Sequence, residues 1–238
     1  MINEPLYFLP GENGFKGQIL DEFLASGYYR MQHLIFTTNH TTLEPGKESI
    51  PVFWLRTEVI KICENKAALA IRKKCLPFTV TCKKAEITTE LEELYRLYKN
   101  HVDFSASATC WDYLHLDEFD NPYDSRIIEV RDGNCLIAAG YFDLGKNAIA
   151  GILNFYHPDY NKFSLGKYLI LQKIDYALAN GIQYYYTGYI STEITKFDYK
   201  LFPDTTAIEV YLPVEKTWVP FALLGKEKLK DYYGNHPE

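Results

Sequence analysis

The sequence predicts a mixed α/β (α+β) protein whose main sheet is largely antiparallel and carries flanking helices. Three observations lead there. Residues Arg126 to Tyr156 read as three β-favouring runs separated by two tight turns. A helix follows, bounded by Ser164 and Gly181. The next run, Ile182 to Ile190, is almost continuously aromatic and β-branched, as expected of a strand covered on both faces.

The elements can be justified in order. Gly17 to Ser26 carries Ile19, Leu20, Phe23 and Leu24 at helical spacing, with Gly27 as its stop. Tyr28 to Thr38 is extended, and the polar loop Thr41 to Ser49 contains the turn signal Pro45-Gly46. From Pro51 to Thr81 the runs Val52-Phe53-Trp54-Leu55 and Phe78-Thr79-Val80 predict several strands. Thr89-Glu90-Leu91-Glu92 reads as a capping box that opens a helix ending near His101, with Leu91, Leu94, Tyr95 and Tyr98 on one side.

The later half is more legible. Arg126–Arg131 is a strand, Asp132-Gly133 a hairpin turn and Asn134–Phe142 its partner. Gly145-Lys146-Asn147 turns the chain into a third strand, Ala148–Tyr156. After His157-Pro158-Asp159-Tyr160, Ser164 is placed to cap a helix whose core stripe is Leu171, Ile174 and Leu178, and Gly181 to end it in a left-handed conformation. Two regions are expected: a β-rich one over residues 1–86, and 87–238 containing the meander, helix and final strand.

Composition narrows the function classes. The chain has 238 residues, 47% of them hydrophobic, enough for one large core or two modest ones. No apolar run reaches the roughly 18 residues of a membrane span. The start, Met1-Ile2-Asn3-Glu4-Pro5, is acidic and leads into no apolar stretch, so a cytoplasmic location is expected. The five cysteines, Cys63, Cys75, Cys82, Cys110 and Cys135, show no CxxC spacing, which predicts reduced core thiols with neither disulfide framework nor zinc site. His33 and His40 lack the spacing of a helical ligand pair, so no metal is expected. Twenty tyrosines carry hydroxyls that need partners, which places many of them at sheet surfaces or in a polar cleft.

The formal net charge of −6 argues against nucleic acid, but its distribution does not. Lys61, Lys66, Arg72, Lys73, Lys74, Lys83 and Lys84 fall within 24 residues that hold one acid, Glu64. Such a stripe either forms a solvated face or holds a phosphate backbone through residues such as Arg72, Lys73 and Lys74.

Phe155-Tyr156-His157-Pro158, Ser164-Leu165-Gly166, Tyr186-Thr187-Gly188-Tyr189-Ile190 and Tyr199-Lys200 together resemble the C-terminal signature of the arginyl/leucyl-tRNA–protein transferases. That family's pattern runs aromatic-aromatic-x-Pro, Ser-Leu-Gly, Tyr-Leu-Gly-Tyr and Tyr-Lys at similar spacings. Upstream, Leu94-Tyr95-Arg96-Leu97-Tyr98 resembles its Tyr-x-x-Tyr helix, Gly27-Tyr28-Tyr29-Arg30 its Gly-aromatic-Arg-Arg element, and Tyr7-Phe8-Leu9-Pro10-Gly11 its Tyr-Leu-Pro opening. The chain departs from the family at Phe36 to Arg56, which holds no cysteine where the family carries a cluster, and at Arg56-Thr57-Glu58, a poor match to its Arg-rich stretch.

The resemblance implies a GNAT-like acyltransfer fold over residues 87–238. It also implies a transferase that moves an amino acid from aminoacyl-tRNA to a protein N-terminus, an N-end-rule type of reaction. The ester is already activated, so no cofactor or metal is required. On this reading Ser164, Leu165, Gly166 and Lys167 approach the acyl donor, Tyr186, Tyr189 and Tyr199 line the cleft, and Lys200 with Lys167 holds phosphate. No residue is singled out as general base; Asp175 and Asp198 qualify by type alone. The alternatives are a GNAT-fold acetyltransferase using acetyl-CoA, though Lys162 to Lys167 lacks the Gln/Arg-x-x-Gly-x-Gly/Ala pattern, and a non-catalytic binding protein on the same scaffold.

Overall fold

The computed structural model describes residues 5–42, 48–103, 106–116 and 121–235. The Pro45-Gly46 turn lies outside them. In chain order the first half holds β1 (Leu6–Phe8), α1 (Gln18–Ala25), β2 (Tyr29–Met31), β3 (Leu34–Thr37), β4 (His40–Thr41), β5 (Ile50–Glu58), α2 (Lys66–Cys75), β6 (Thr79–Lys84), α3 (Thr89–His101) and α4 (Trp111–Leu114). The second half holds β7 (Ser125–Asp132), β8 (Cys135–Leu144), β9 (Ala148–Tyr156), α5 (Leu165–Ala179), β10 (Tyr184–Ser191), β11 (Ile208–Leu212), β12 (Thr217–Pro220), α6 (Phe221–Lys230) and α7 (Tyr232–Asn235).

Turn chemistry sets the main sheet. Gly133 takes φ +57°, which glycine adopts without steric cost, and pairs Asp132 with Cys135 across the β7–β8 hairpin. The sheet then runs β12-β11-β5-β10-β9-β8-β7-β6, with β4 on β5. Every pairing is antiparallel except β9 with β10. Three antiparallel strands, a loop, a helix and a strand parallel to the third make the GNAT-like order expected from the sequence. Strands from both sides of residue 86 share this sheet, because β5 lies between β11 and β10 and β6 pairs with β7.

Alternation divides the core between the two faces. Ile128, Phe142 and Ile149 pack with Ile71 of α2 and Leu171 and Ile174 of α5. Ile127 and Tyr141 face the other way, toward Leu91, Leu94 and Tyr95 of α3. Ala148, Ala150 and Tyr186 meet Leu20 and Leu24 of α1, together with Ile35 and Phe36 of the small β1-β3-β2 sheet. Helix α5 is therefore wedged between the sheet and α2, which is why its apolar residues are not confined to one stripe.

Several local expectations change. Residues Lys66–Cys75 are helical, not extended: the Asn65 side chain accepts the Ala68 amide at 2.9 Å, and Ala68, Ile71 and Cys75 bury one face. Tyr28 to Thr38 is a hairpin bent at Gln32 (φ +57°). Thr88, one residue before the expected cap, accepts the Leu91 amide at 3.3 Å. Glu92 instead accepts the Cys110 and Trp111 amides at 3.0 and 3.1 Å, holding the α4 entry on α3. Ser164 occupies the N-cap position of α5 in a left-handed conformation (φ +55°) with no side-chain cap bond. Gly181 ends the helix at φ +67°, as expected. Leu178 is exposed and Ala177 takes the buried position. Only Cys75 and Cys110 are core thiols; Cys63, Cys82 and Cys135 are exposed.

Candidate active site

The parallel pairing of β9 and β10 lasts three residues, Tyr184–Tyr186 against Ala148–Ala150. Beyond it both strands bulge. Gly151 and Leu153 pair with the consecutive residues Phe142 and Tyr141, leaving Ile152 extra on β9. Tyr186 and Gly188 pair with Arg56 and Leu55, leaving Thr187 extra on β10. A bulge bends its strand and interrupts the ladder, so two adjacent bulges on neighbouring strands split the sheet into a fork. Gly188 takes φ +95° there, and a Cβ on it would lie 3.0 Å from the Lys200 ammonium.

Tyr29 sits in the crotch. Its hydroxyl lies against the carbonyl oxygens of Gly151 and, at 3.1 Å, of Tyr186, one from each prong. Neighbouring Arg30 anchors the segment: its guanidinium donates to Asp143 at 2.7 Å, to Ser125 at 2.9 Å and to the Leu114 carbonyl. The Gly-aromatic-Arg stretch thus holds the fork from the N-terminal side.

A cleft of about 480 Å³ occupies the fork. On one side its wall is aromatic. Trp54 stacks on Tyr29 with centroids 5.2 Å apart and meets Phe36 and Tyr189 edge-on at 5.6 and 5.1 Å. Across the sheet it is lined by Ile170 and Lys173 of α5, Tyr185, Tyr199 and Lys200. The Thr187 hydroxyl lies between, buried and without a hydrogen-bond partner among the described residues.

Lys173 is 1% exposed. Its amine donates to the Tyr141 carbonyl at the β9 bulge (2.8 Å) and to Asn154 Oδ1 (2.7 Å). Burial pushes it down to about 7, against an opposing pull from Asp143. Lys200 donates to the Tyr189 carbonyl at 2.9 Å, and enclosure pushes it down to about 7 as well. It lies 4.8 Å from the ring centroids of both Tyr189 and Phe197, and these rings favour the ammonium.

Gly140 makes this arrangement possible. A Cβ there would lie 2.8 Å from Asn154 Oδ1 and 3.3 Å from Lys173 Cε. Gly140→Ala is expected to lower stability by about 1–3 kcal/mol by overpacking and to displace the Lys173–Asn154 pair. Urea denaturation checks the first effect; a variant as stable as the parent would show that the pair moves aside freely.

Of the residues singled out in the sequence, Tyr189, Tyr199 and Lys200 meet in the cleft. Tyr186 points to the α1 side, against Trp218 at 5.5 Å. Leu165 is buried in the α5 core, and Ser164, Gly166 and Lys167 form the start of that helix, outside the lining, with Lys167 3 residues before Ile170. Arg72 is held by Glu64 (2.5 Å) and Asp175 (2.6 Å), and these carboxylates raise its pKa. Lys73 and Lys74 are exposed on the last turn of α2. Asp198 pairs with Lys226 at 2.5 Å. Sequence reasoning missed Tyr29, Trp54, Asn154, Lys173 and Thr187. Two signals were available: Gln172-Lys173 interrupts the apolar run Leu169–Ile174, and Thr187-Gly188 interrupts a strand of aromatics, a mark of a bulge.

Among the described residues no group of three or more His, Cys, Asp or Glu is placed to hold a metal ion, and no helix is long and apolar enough to cross a membrane.

A sheet forked between two parallel strands, with a helix packed across the fork, makes a GNAT-like scaffold. Comparison with known proteins narrows the class. Residues 90–205 match the family described as "Arginine-tRNA-protein transferase, C terminus". Arginyl-tRNA–protein transferase 1 of Arabidopsis thaliana is 35% identical over 91 residues, 36% of this chain and 14% of that protein. An aspartate/glutamate leucyltransferase of Acinetobacter baumannii is 30% identical over 131 residues, 54% of this chain and 48% of that protein. Among solved structures, L-PGS from Bacillus licheniformis aligns at TM-score 0.45 and 10% identity, covering 73% of this chain and 50% of that one, a likeness too distant to carry functional weight. The chain is thus similar to the arginyl/leucyl-tRNA–protein transferases across residues 90–205, and it holds no cysteine between residues 36 and 56. It spans about half or less of the length of these curated relatives.

Proposed function

We propose that this protein transfers an amino acid from aminoacyl-tRNA to the N-terminal amine of a protein. The observation that carries the proposal is the fork itself. A cleft lined from both faces of the sheet lets two bulky substrates approach from opposite sides and meet at one point. Holding an amine and an ester carbonyl in contact replaces a bimolecular encounter, the largest obstacle to a reaction between an activated ester and a good nucleophile.

The parts divide by chemistry. Tyr29, Trp54 and Tyr189 offer faces on which the terminal adenine stacks. Lys200 supplies a cation for phosphate beside Tyr199, and Lys167 and the first amides of α5, from Leu165 onward, extend this cationic side. The Thr187 hydroxyl, which has no partner among the described residues, is a donor for the carbonyl oxygen as negative charge develops on it. Charged tRNA implies action where translation occurs, in the cytoplasm, and an added N-terminal residue is the kind of mark an N-end-rule pathway reads.

The test offers the protein charged tRNAs, uncharged tRNA and acetyl-CoA, each with a peptide whose N-terminus is free or acetylated. Mass spectrometry is expected to detect one added aminoacyl residue only with charged tRNA and a free N-terminus. Acetyl transfer instead, or no transfer with any charged tRNA, would overturn the reading.

The basic stripe adds a second test. Lys61 and Lys83 pair with Glu58 and with Glu86 and Glu129, as Arg72 does with Glu64 and Asp175, so Lys73 and Lys74 are the better placed to meet RNA. Replacing both with Ala is expected to reduce the salt slope of tRNA binding by about 0.7–0.9 for each phosphate that is no longer neutralised. Arg72→Ala is expected to lower stability and leave the slope alone. Equal slopes for the double variant and the parent would assign the stripe to solvent.

A further inference from the structure

We propose that Lys173 takes the proton from the attacking amine and returns it to the departing ribose oxygen. The inference rests on the transferase reading and adds to it the proton-handling group that the sequence left unnamed.

Geometry is the first ground for this assignment. Lys173 reaches the fork from the middle of α5 and is buried, yet its amine contacts two neutral acceptors and no carboxylate: the Tyr141 carbonyl and Asn154 Oδ1. A neutral amine has two hydrogens to donate and one lone pair to offer. The two acceptors use both hydrogens, which leaves the lone pair as the remaining valence of a side chain that lines the cleft. Both acceptors are set by the fold. The Tyr141 carbonyl stands at the β9 bulge, and Asn154 has room because residue 140 is glycine.

Thr187 is an independent sign that a polar ligand enters here. Its hydroxyl is buried in the same cleft and finds no partner among the described residues, and native proteins rarely leave such a group unpaired.

The charged and titratable groups around Lys173 are already engaged or neutral. Asp143 of β8 is paired with Arg30, Glu129 of β7 with Lys83 and Arg131, and Asp175 on α5 itself with Arg72. Tyr185 of β10 is raised by burial and stays protonated, as does Tyr141. Tyr199 and Lys200 stand across the cleft. Of these, Asp143 is the one whose charge bears on Lys173, and burial outweighs it, so the amine is poised near neutrality. Lys200 is lowered as far by its own burial, but its amine is engaged by the Tyr189 carbonyl and lies over the Tyr189 and Phe197 rings.

The step balances with no further reactant. The α-amine nitrogen attacks the ester carbonyl carbon, and its proton moves to Lys173 Nζ as the C–N bond forms. Collapse of the tetrahedral intermediate breaks the bond to the ribose oxygen. That oxygen takes the proton from Nζ and leaves as a hydroxyl.

The test compares wild type, Lys173→Ala and Lys173→Met in transfer assays from pH 5.5 to 9, with circular dichroism to check the fold. Lys173→Met keeps the apolar stem and should fold even if the alanine variant does not. Expected is a fall in kcat of at least about 100-fold, with KM for charged tRNA nearly unchanged. The acidic limb near 7 should disappear, leaving only the acceptor's own α-amine ionisation at about 7.7–8. Added methylamine should restore rate to Lys173→Ala in proportion to its free-base concentration, which a purely structural role would not do. A folded Lys173→Met within about threefold of wild type, or retaining the wild-type acidic limb, would overturn the assignment while leaving the transferase reading intact. A wild type inactive with every charged tRNA would remove both.

Discussion

Replacing Arg30 with methionine is expected to lower stability by about 3–5 kcal/mol at neutral pH, one of the two largest losses anticipated from a single change. The Arg30 and Asp143 side chains are 1% and 0% exposed and 2.7 Å apart. Methionine fills much of the arginine stem's volume over the Tyr123 ring, where the guanidinium sits 4.3 Å from the centroid. What it cannot replace is the positive charge, so Asp143 is left buried and unpaired. The penalty has a predictable pH dependence. Burial raises the Asp143 carboxyl above the usual range, and Arg30 pulls it back. A carboxyl whose folded value lies above its unfolded one favours the native state at low pH and loses that contribution as pH rises through the folded value. Without Arg30 the folded value climbs further, so the penalty should shrink between pH 7 and pH 5. Urea denaturation at the two pH values reads both effects. A loss under 1 kcal/mol, or one that grows on acidification, would show that Asp143 finds another partner.

Trp54→Ala is expected to cost a similar amount, about 3–5 kcal/mol, and to damage the cleft as well as the core. Trp54 is 5% exposed on β5, a strand paired on both sides by β11 and β10. Its indole N–H donates to the Thr38 carbonyl at 3.2 Å, and its ring supports Tyr29 in the crotch and Tyr189 on the prong. Truncation leaves a cavity between the two sheets and frees both tyrosines. Trp54→Phe retains most of the ring packing and leaves one carbonyl unpaired, so it should recover most of the stability. If the terminal adenine stacks on this wall, the alanine variant should also bind charged tRNA less tightly, by about 1–3 kcal/mol. Equal melting temperatures for the alanine and phenylalanine variants would show that Trp54 does not hold the two sheets together.

The elements legible in the sequence were those whose signals are local. Asp132-Gly133 and Gly145-Lys146-Asn147 encode turns in their own backbone preferences, and Gly181 ends α5 because only glycine adopts φ +67° freely. The α2 helix was hidden because its neighbours Val52–Leu55 and Phe78–Val80 are strong strand formers, while its Asn65 cap and alanine-rich first turn are short local signals between them. The cleft was legible in part. Tyr189, Tyr199 and Lys200 carried the family's spacing, whereas Lys173 stood in the middle of a largely apolar helix with nothing local to mark its partners.

The sequence by itself therefore determined the order of strands, turns and helix from Arg126 to Ile190, the likeness to aminoacyl-tRNA–protein transferases, and three residues of the cleft. These follow from propensity, periodicity and motif, which act over a few residues. Only the tertiary structure decided that β5 enters the sheet beside β10, that Tyr29 stands in the crotch, that Tyr186 turns away, and that Lys173 meets Tyr141 and Asn154. Those contacts join residues far apart in the chain. They depend on two bulges, each shifting register by one residue, and a one-residue shift moves side chains from one face of a sheet to the other.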